Sequence, residues 1–88
     1  MFAALGHPLR LDIVKSLAAS DEAMSPIAVD RLLGDESPGL PNVAYHVRHL
    51  DRAGLVKQKR TKARRGAVEH FFELTALGRR AHELMEKY

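Results

Sequence analysis

Between Pro41 and Leu74 the sequence runs PNVAYHVRHLDRAGLVKQKRTKARRGAVEHFFEL, and this stretch restricts the fold more than any other. Val43, Val47 and Leu50 recur at i, i+4 and i+7, the spacing of one helix face. The same period puts Asn42, Tyr45, His49 and Arg52 on the opposite face, with His46 on the flank. The pattern predicts a helix from Pro41 that ends at Gly54. Leu55-Val56 opens a strand that runs to about Lys62, and Ala63 to Gly66 makes a turn. Ala67 to Leu74 returns, with Val68, His70 and Phe72 in alternation. A helix feeding directly into a hairpin leaves little freedom for the rest of so short a chain.

The flanking segments supply helices. Pro8 suits a first helical turn, where its missing N–H is not needed. Leu9, Ile13 and Leu17, with Val14 and Ala18 beside them, form a core-facing stripe. Ser25-Pro26 reads as a hydroxyl N-cap followed by Pro at the first position of a second helix. That helix runs to about Leu33, and Gly34 closes it. Gly34 to Leu40 reads as a loop. Thr75 caps a last helix whose apolar stripe is Leu77, Ala81, Leu84, Met85 and Tyr88. The fold class is therefore α+β and mostly α: a three-helix core, a two-stranded β-wing and a C-terminal helix. This is the order of a winged helix-turn-helix.

With 88 residues there is room for one small core, and residues 1–88 are read as a single domain. The chain has no cysteine, which excludes disulfides and thiolate chemistry. No apolar run is long enough to span a bilayer, and the N-terminus lacks the pattern of a secretory signal. The expected place is the cytoplasm, at the nucleoid. Net charge is only +3, but it is unevenly spread. The ten basic residues of 41–80 face three acidic ones, while residues 1–40 carry three basic and six acidic. Such an asymmetric basic half fits a polyanionic partner.

Candidate contacts follow from these placements. Asn42 has the amide geometry to read adenine, and Tyr45 or His49 can reach base edges or phosphate. Arg48 and Arg52 suit phosphates. Lys57 to Arg65 holds six basic residues in nine: Lys57, Lys59, Arg60, Lys62, Arg64 and Arg65. Strict strand alternation splits them between two faces, so that not all can touch one backbone. Arg64, Arg65 and Gly66 are placed at the tip, where an Arg can enter a narrow minor groove. His46 and His49 are three apart, but no third converging ligand is evident, and no residue is assigned to a metal or cofactor. No nucleophile elbow, phosphate-binding glycine loop or metalloprotease motif occurs, so the chain is not read as an enzyme. Phe2, Leu5, Leu77, Ala81, Leu84, Met85 and Tyr88 are candidates for a homodimer interface. Pairing them across a two-fold axis would set two reading helices about one DNA turn apart.

At this point the residues resemble a family. Leu5-Gly6-His7-Pro8-Leu9-Arg10 looks like the opening of ArsR-like winged-helix regulators. NVAYHVRHLDRAGLV, residues 42–56, resembles their recognition helix and the entry to the wing. RRGAVEHFFEL, residues 64–74, resembles the wing. The resemblance implies DNA contacts from Asn42, Ala44, Tyr45, His46 and His49, and backbone contacts from Arg64 and Arg65. Ala44 departs from the Ser usual there, and the connection before the third helix is longer than usual. The reading is a sequence-specific regulator of transcription that binds double-stranded DNA as a homodimer and represses by occupying a promoter. Its alternative is a winged-helix module for protein–protein assembly without specific DNA binding.

Overall fold

The computed structural model describes residues 6–87. Helix α1 spans Pro8–Ala19, α2 Pro26–Leu33 and α3 Leu40–Arg52; strands β1 (Val56–Arg64) and β2 (Ala67–Leu74) form an antiparallel hairpin, and α4 (Ala76–Glu86) follows. This is the winged-helix order expected from the sequence. The dimer candidates Phe2, Leu5 and Tyr88 lie outside the described residues.

Local chemistry explains each boundary. His7 caps α1: its Nδ1 accepts the Leu9 N–H at 3.2 Å, and Pro8 occupies the first turn. Ser25 Oγ accepts the Ala28 N–H at 3.2 Å and caps α2. Thr75 Oγ1 accepts the Gly78 N–H and caps α4, while its hydroxyl donates to the Gly54 carbonyl. At the end of α3, Gly54 takes φ 79°. The Gly54 N–H bonds the Asp51 carbonyl and the Leu55 N–H the Leu50 carbonyl, which closes the helix in a Schellman motif.

Two boundaries differ from expectation. Helix α3 starts one residue earlier, at Leu40, because Gly39 at φ 105° serves as its N-cap. It stops at Arg52, since the residues after it belong to the closing motif. The expected loop after α2 also contains one 3₁₀ turn, Gly34–Glu36.

One core holds these elements together. Ile13, Val14 and Leu17 of α1 meet Val29 of α2, Val43, Val47 and Leu50 of α3, and Leu55, Val56, Phe72 and Leu74 of the hairpin. Met24, just before α2, exchanges two backbone hydrogen bonds of 2.9 Å with Phe72. This short rung ties the start of α2 to the free edge of β2.

Candidate nucleic-acid interface

The wing shows how the cations are arranged. Strand β1 has nine residues and β2 eight, and both ends are pinned. At the base Val56 pairs with Leu74 in the core; at the tip Arg64 pairs with Ala67. One β1 residue is therefore surplus, and the register shifts between Gln58 and Arg60, leaving Lys59 in a bulge. A one-residue shift moves every later side chain to the other face. Lys57, Arg60, Lys62 and Arg64 consequently share the face of Glu69, Phe71 and Glu73. Gln58, Thr61 and Ala63 share the other with Val68, His70 and Phe72. The strict alternation expected from the sequence is thus corrected: the bulge collects the basic residues on one side.

Contacts on that face confirm the register. Lys57 and Lys59 reach Glu73 at 3.8 and 3.5 Å, and the Arg60 guanidinium lies 3.9 Å above the Phe71 ring. Arg64 Nη1 donates to Glu69 at 3.2 Å. On the opposite face His70 and Gln58 are hydrogen-bonded at 2.9 Å. The tip is tighter than expected. Ala63 and Arg64 belong to β1, and Arg65-Gly66 alone form the turn, with φ of 46° and 82°. Positive φ at both residues is the requirement of a type I′ hairpin. Arg64 is therefore not in the turn itself but is the last rung of the ladder beside it, engaged by an acid.

Helix α3 exposes fewer of the candidate contact residues than expected. Tyr45, Arg48 and Arg52 are exposed, and His49 is half-buried. Asn42 is exposed, but its Nδ2 donates to the Pro38 carbonyl at 3.2 Å, so half of its amide is already engaged. Ala44 lies on the flank, in a groove of about 530 Å³ between α3 and the wing that Ile27, Leu40, Val68 and Phe72 also line. His46 departs furthest from its expected DNA contact. It is only 8 % exposed, its Nδ1 accepts from Arg10 Nε at 3.0 Å, and the His7 ring packs against it, tilted by 39°, at 4.5 Å between centroids. Its ring joins α3 to α1 and is withdrawn from the exposed face of the helix.

Burial first, then the nearby His7, Arg10 and His49 charges, pushes the His46 pKa below its ordinary 6.5. The unfolded chain thus takes up this proton at a higher pH than the folded one. Stability from His46 is complete above about pH 6.5 and declines as pH falls below it. Urea midpoints should be flat above neutrality and drop on acidification. His46→Gln, which keeps an acceptor for Arg10, should reduce the drop that begins near pH 6.5. His49 is lowered in the same direction, by desolvation and by Arg10 and Arg52, and leaves a residual slope. An unaltered acid profile in His46→Gln would contradict the assignment.

The remaining histidines have separate partners: His70 pairs with Gln58, and His82 reaches Glu86 at 3.0 Å along α4. Among the dimer candidates, Leu77 and Met85 are exposed and Leu84 half-buried. Ala81 is fully buried and belongs to the protein's own core, because α4 turns Gly78 and Ala81 inward. That removes Ala81 from any surface.

Among the described residues, five cations on α3 and the wing have no ion pair: Arg48, Arg52, Arg60, Lys62 and Arg65. The pairs made by Lys57 and Lys59 involve side chains about 60 % exposed. Such surface pairs contribute only about 0–1 kcal/mol, so a phosphate could replace the carboxylate readily.

A helix-turn-helix domain family model matches residues 5–59, from α1 into β1. The match covers more than half of the sequence, and the chain belongs to the helix-turn-helix domain family. That membership agrees with the non-enzymatic reading. No curated protein matches the chain. Solved structures share the fold at low identity. PadR of Bacillus subtilis, in complex with operator DNA, superposes with a TM-score of 0.77 at 15% identity over 90% of this chain and 46% of its own. A PadR family transcription regulator from Clostridium difficile gives 0.74 at 13% identity, over 92% and 85%. The protein smu.1704 from Streptococcus mutans gives 0.64 at 15% identity, over 93% and 80%. The chain spans less than half the length of the first of these. The fold is the winged helix of PadR: four helices with a two-stranded antiparallel wing.

No helix among the described residues is long and apolar enough to cross a membrane.

Proposed function

We propose that the chain is a sequence-specific regulator of transcription that binds double-stranded DNA with α3 in the major groove and the wing on the backbone. The observation that carries this reading is the placement of uncompensated cations. They lie on the outward side of α3, at the Arg65 turn and along the wing face of Glu69, Phe71 and Glu73, while the other wing face, with Gln58, Val68 and Phe72, lines the groove toward α3. PadR, which shares the fold, has been crystallised with operator DNA, and this supports the same use of the scaffold here.

In this reading Arg48, Arg52, Arg60 and Lys62 neutralise phosphates, with Lys57 and Lys59 exchanging Glu73 for DNA. Arg65, at the turn, reaches furthest from the core and approaches the minor groove, with Gly66 giving the backbone room. Tyr45 and His49 are the base-reading candidates. Asn42 contributes one end of its amide, and Ala44 supplies an apolar contact from the groove wall. Residues 1–88 act as one domain. Leu77, Leu84 and Met85 supply an apolar patch through which two copies pair. Within winged-helix regulators, the motifs at residues 5–10 and 42–56 favour an ArsR-like relationship, whereas two of the structural likenesses bear the PadR name. The mechanism uses only the scaffold common to both. Repression by promoter occupancy needs nothing beyond that binding.

Selection of bound sites from random duplexes tests the reading. Enrichment of one motif, as two inverted half-sites about one helical turn apart, is expected for a dimer. A single enriched half-site would leave the binding mode standing and remove the dimer. No enrichment would favour the protein–protein assembly module.

A further inference from the structure

Glu69 is an acid on the basic face of the wing, opposite Lys62 and beside Arg64. For a hairpin that meets phosphates, simple electrostatics makes such a residue a defect. Its contacts indicate otherwise. One carboxylate oxygen, Oε2, accepts from Ser25 Oγ at 2.5 Å; the other, Oε1, accepts from Arg64 Nη1 at 3.2 Å. Ser25 is fully buried and is the N-cap of α2, where its oxygen also accepts the Ala28 N–H. Arg64 is the last paired residue before the Arg65-Gly66 turn. The Glu69 side chain is only 12% exposed, unlike the cations around it. A continuous chain of polar contacts therefore runs from the start of α2, through Ser25 and Glu69, to the tip of the wing.

We propose that Glu69 is a positioning residue that fixes the distal wing against the helix-turn-helix, so that this acid strengthens DNA binding. The proposal rests on the DNA-binding reading above. Its logic is geometric. The base of the hairpin is held by Val56, Phe72 and Leu74 in the core, whereas every side chain of residues 61–68 is exposed. Beyond the core the hairpin is held chiefly by its own ladder, and an isolated two-stranded hairpin is marginal in water. Glu69 is where the distal half is tied to another element. The tie is charge-assisted at the Arg64 end, and the carboxylate lies at the N-terminus of α2, where the helix dipole favours an anion. Ser25, ahead of Arg64, holds the Glu69 carboxyl below the usual carboxylate range, so the link persists at neutral pH. Glu73 is the internal contrast. Among the described residues it pairs with Lys57 and Lys59, two exposed lysines of the hairpin itself, and with no other element.

The test compares Glu69→Ala, Glu69→Gln and Glu73→Ala on one selected duplex, together with amide exchange across residues 62–69. Both Glu69 variants remove the same charge, but Gln keeps an acceptor for Ser25. Positioning predicts that Glu69→Ala weakens duplex binding about 3–10-fold and speeds wing exchange, while exchange in α1–α3 stays unchanged. Glu69→Gln should recover much of both. Glu73→Ala should bind as tightly as the wild type or tighter. Equal behaviour of the two Glu69 variants, with affinity unchanged or raised, would overturn the proposal, as would unchanged wing exchange in Glu69→Ala. If the wild-type protein binds no duplex, the DNA reading fails on that result alone. The exchange comparison still decides whether Glu69 holds the wing.

Discussion

Gly78→Ala should destabilise the protein by about 2–4 kcal/mol, although alanine is the better helix former. Gly78 lies in the first turn of α4, where that helix crosses the Leu55 backbone. A Cβ there would sit 2.0 Å from the Leu55 carbonyl oxygen, 3.0 Å from its carbon and 3.3 Å from Leu74 Cδ2. The first two atoms are main chain and cannot rotate aside. The same carbonyl accepts the Thr75 N–H at 3.1 Å, so moving it also loosens the cap of α4. Ala81, one turn further on and fully buried, would be lifted from the core as well. Intrinsic propensity favours Ala over Gly by only about 1 kcal/mol, which is too little to offset the clash. Urea unfolding followed by circular dichroism gives the sign directly. A neutral or stabilising effect would mean that α4 does not cross the chain at this distance.

Arg48→Glu should lower duplex affinity by about 10–100-fold, the largest effect expected of one surface substitution. Arg48 is exposed on α3, has no ion pair among the described residues, and lies where the outward face of the helix meets the wall of the wing groove. In the proposed binding mode, reversal removes one phosphate contact and adds a repulsive charge among the others. Folding should be nearly unaffected, because the side chain supports nothing in the core. Arg79→Glu is the matched control. Arg79 counts toward the basic half of the sequence, but it lies exposed on α4, outside the proposed interface. The two reversals change net charge equally. Equal losses of affinity would point to non-specific attraction rather than to a face built by α3 and the wing.

Much of the scaffold is legible in the sequence because its punctuation is local. Ser25 and Thr75 each mark a boundary with a side-chain hydrogen bond that the residue type provides, and Gly54 marks one with its positive φ. The spacing of Val43, Val47 and Leu50 fixes the inner face of α3 for the same reason. The features that escape are those set by distant partners. Period alone leaves His46 on a flank; the approach of α1, through His7 and Arg10, buries it. Gly78 looks like a weak point in a helix until Leu55 is seen beneath it. The bulge at Lys59 follows from two constraints at opposite ends of the hairpin, the core at Val56 and the turn at Arg65-Gly66. Neither alone gives the register, and strict alternation distributes the cations wrongly. Glu69 shows the same limit: its partner Ser25 is 44 residues away in sequence.

The salt dependence of duplex affinity tests the central claim most directly. Arg48, Arg52, Arg60 and Lys62, with a share from Lys57 and Lys59 as they exchange Glu73 for DNA, correspond to about five phosphates per subunit, each contributing about −0.9 to the slope of log affinity against log salt. The predicted slope is about −4 to −5 per subunit, a loss of roughly 10²–10³ in affinity between about 50 and about 200 mM salt. A flat response would contradict binding through this surface.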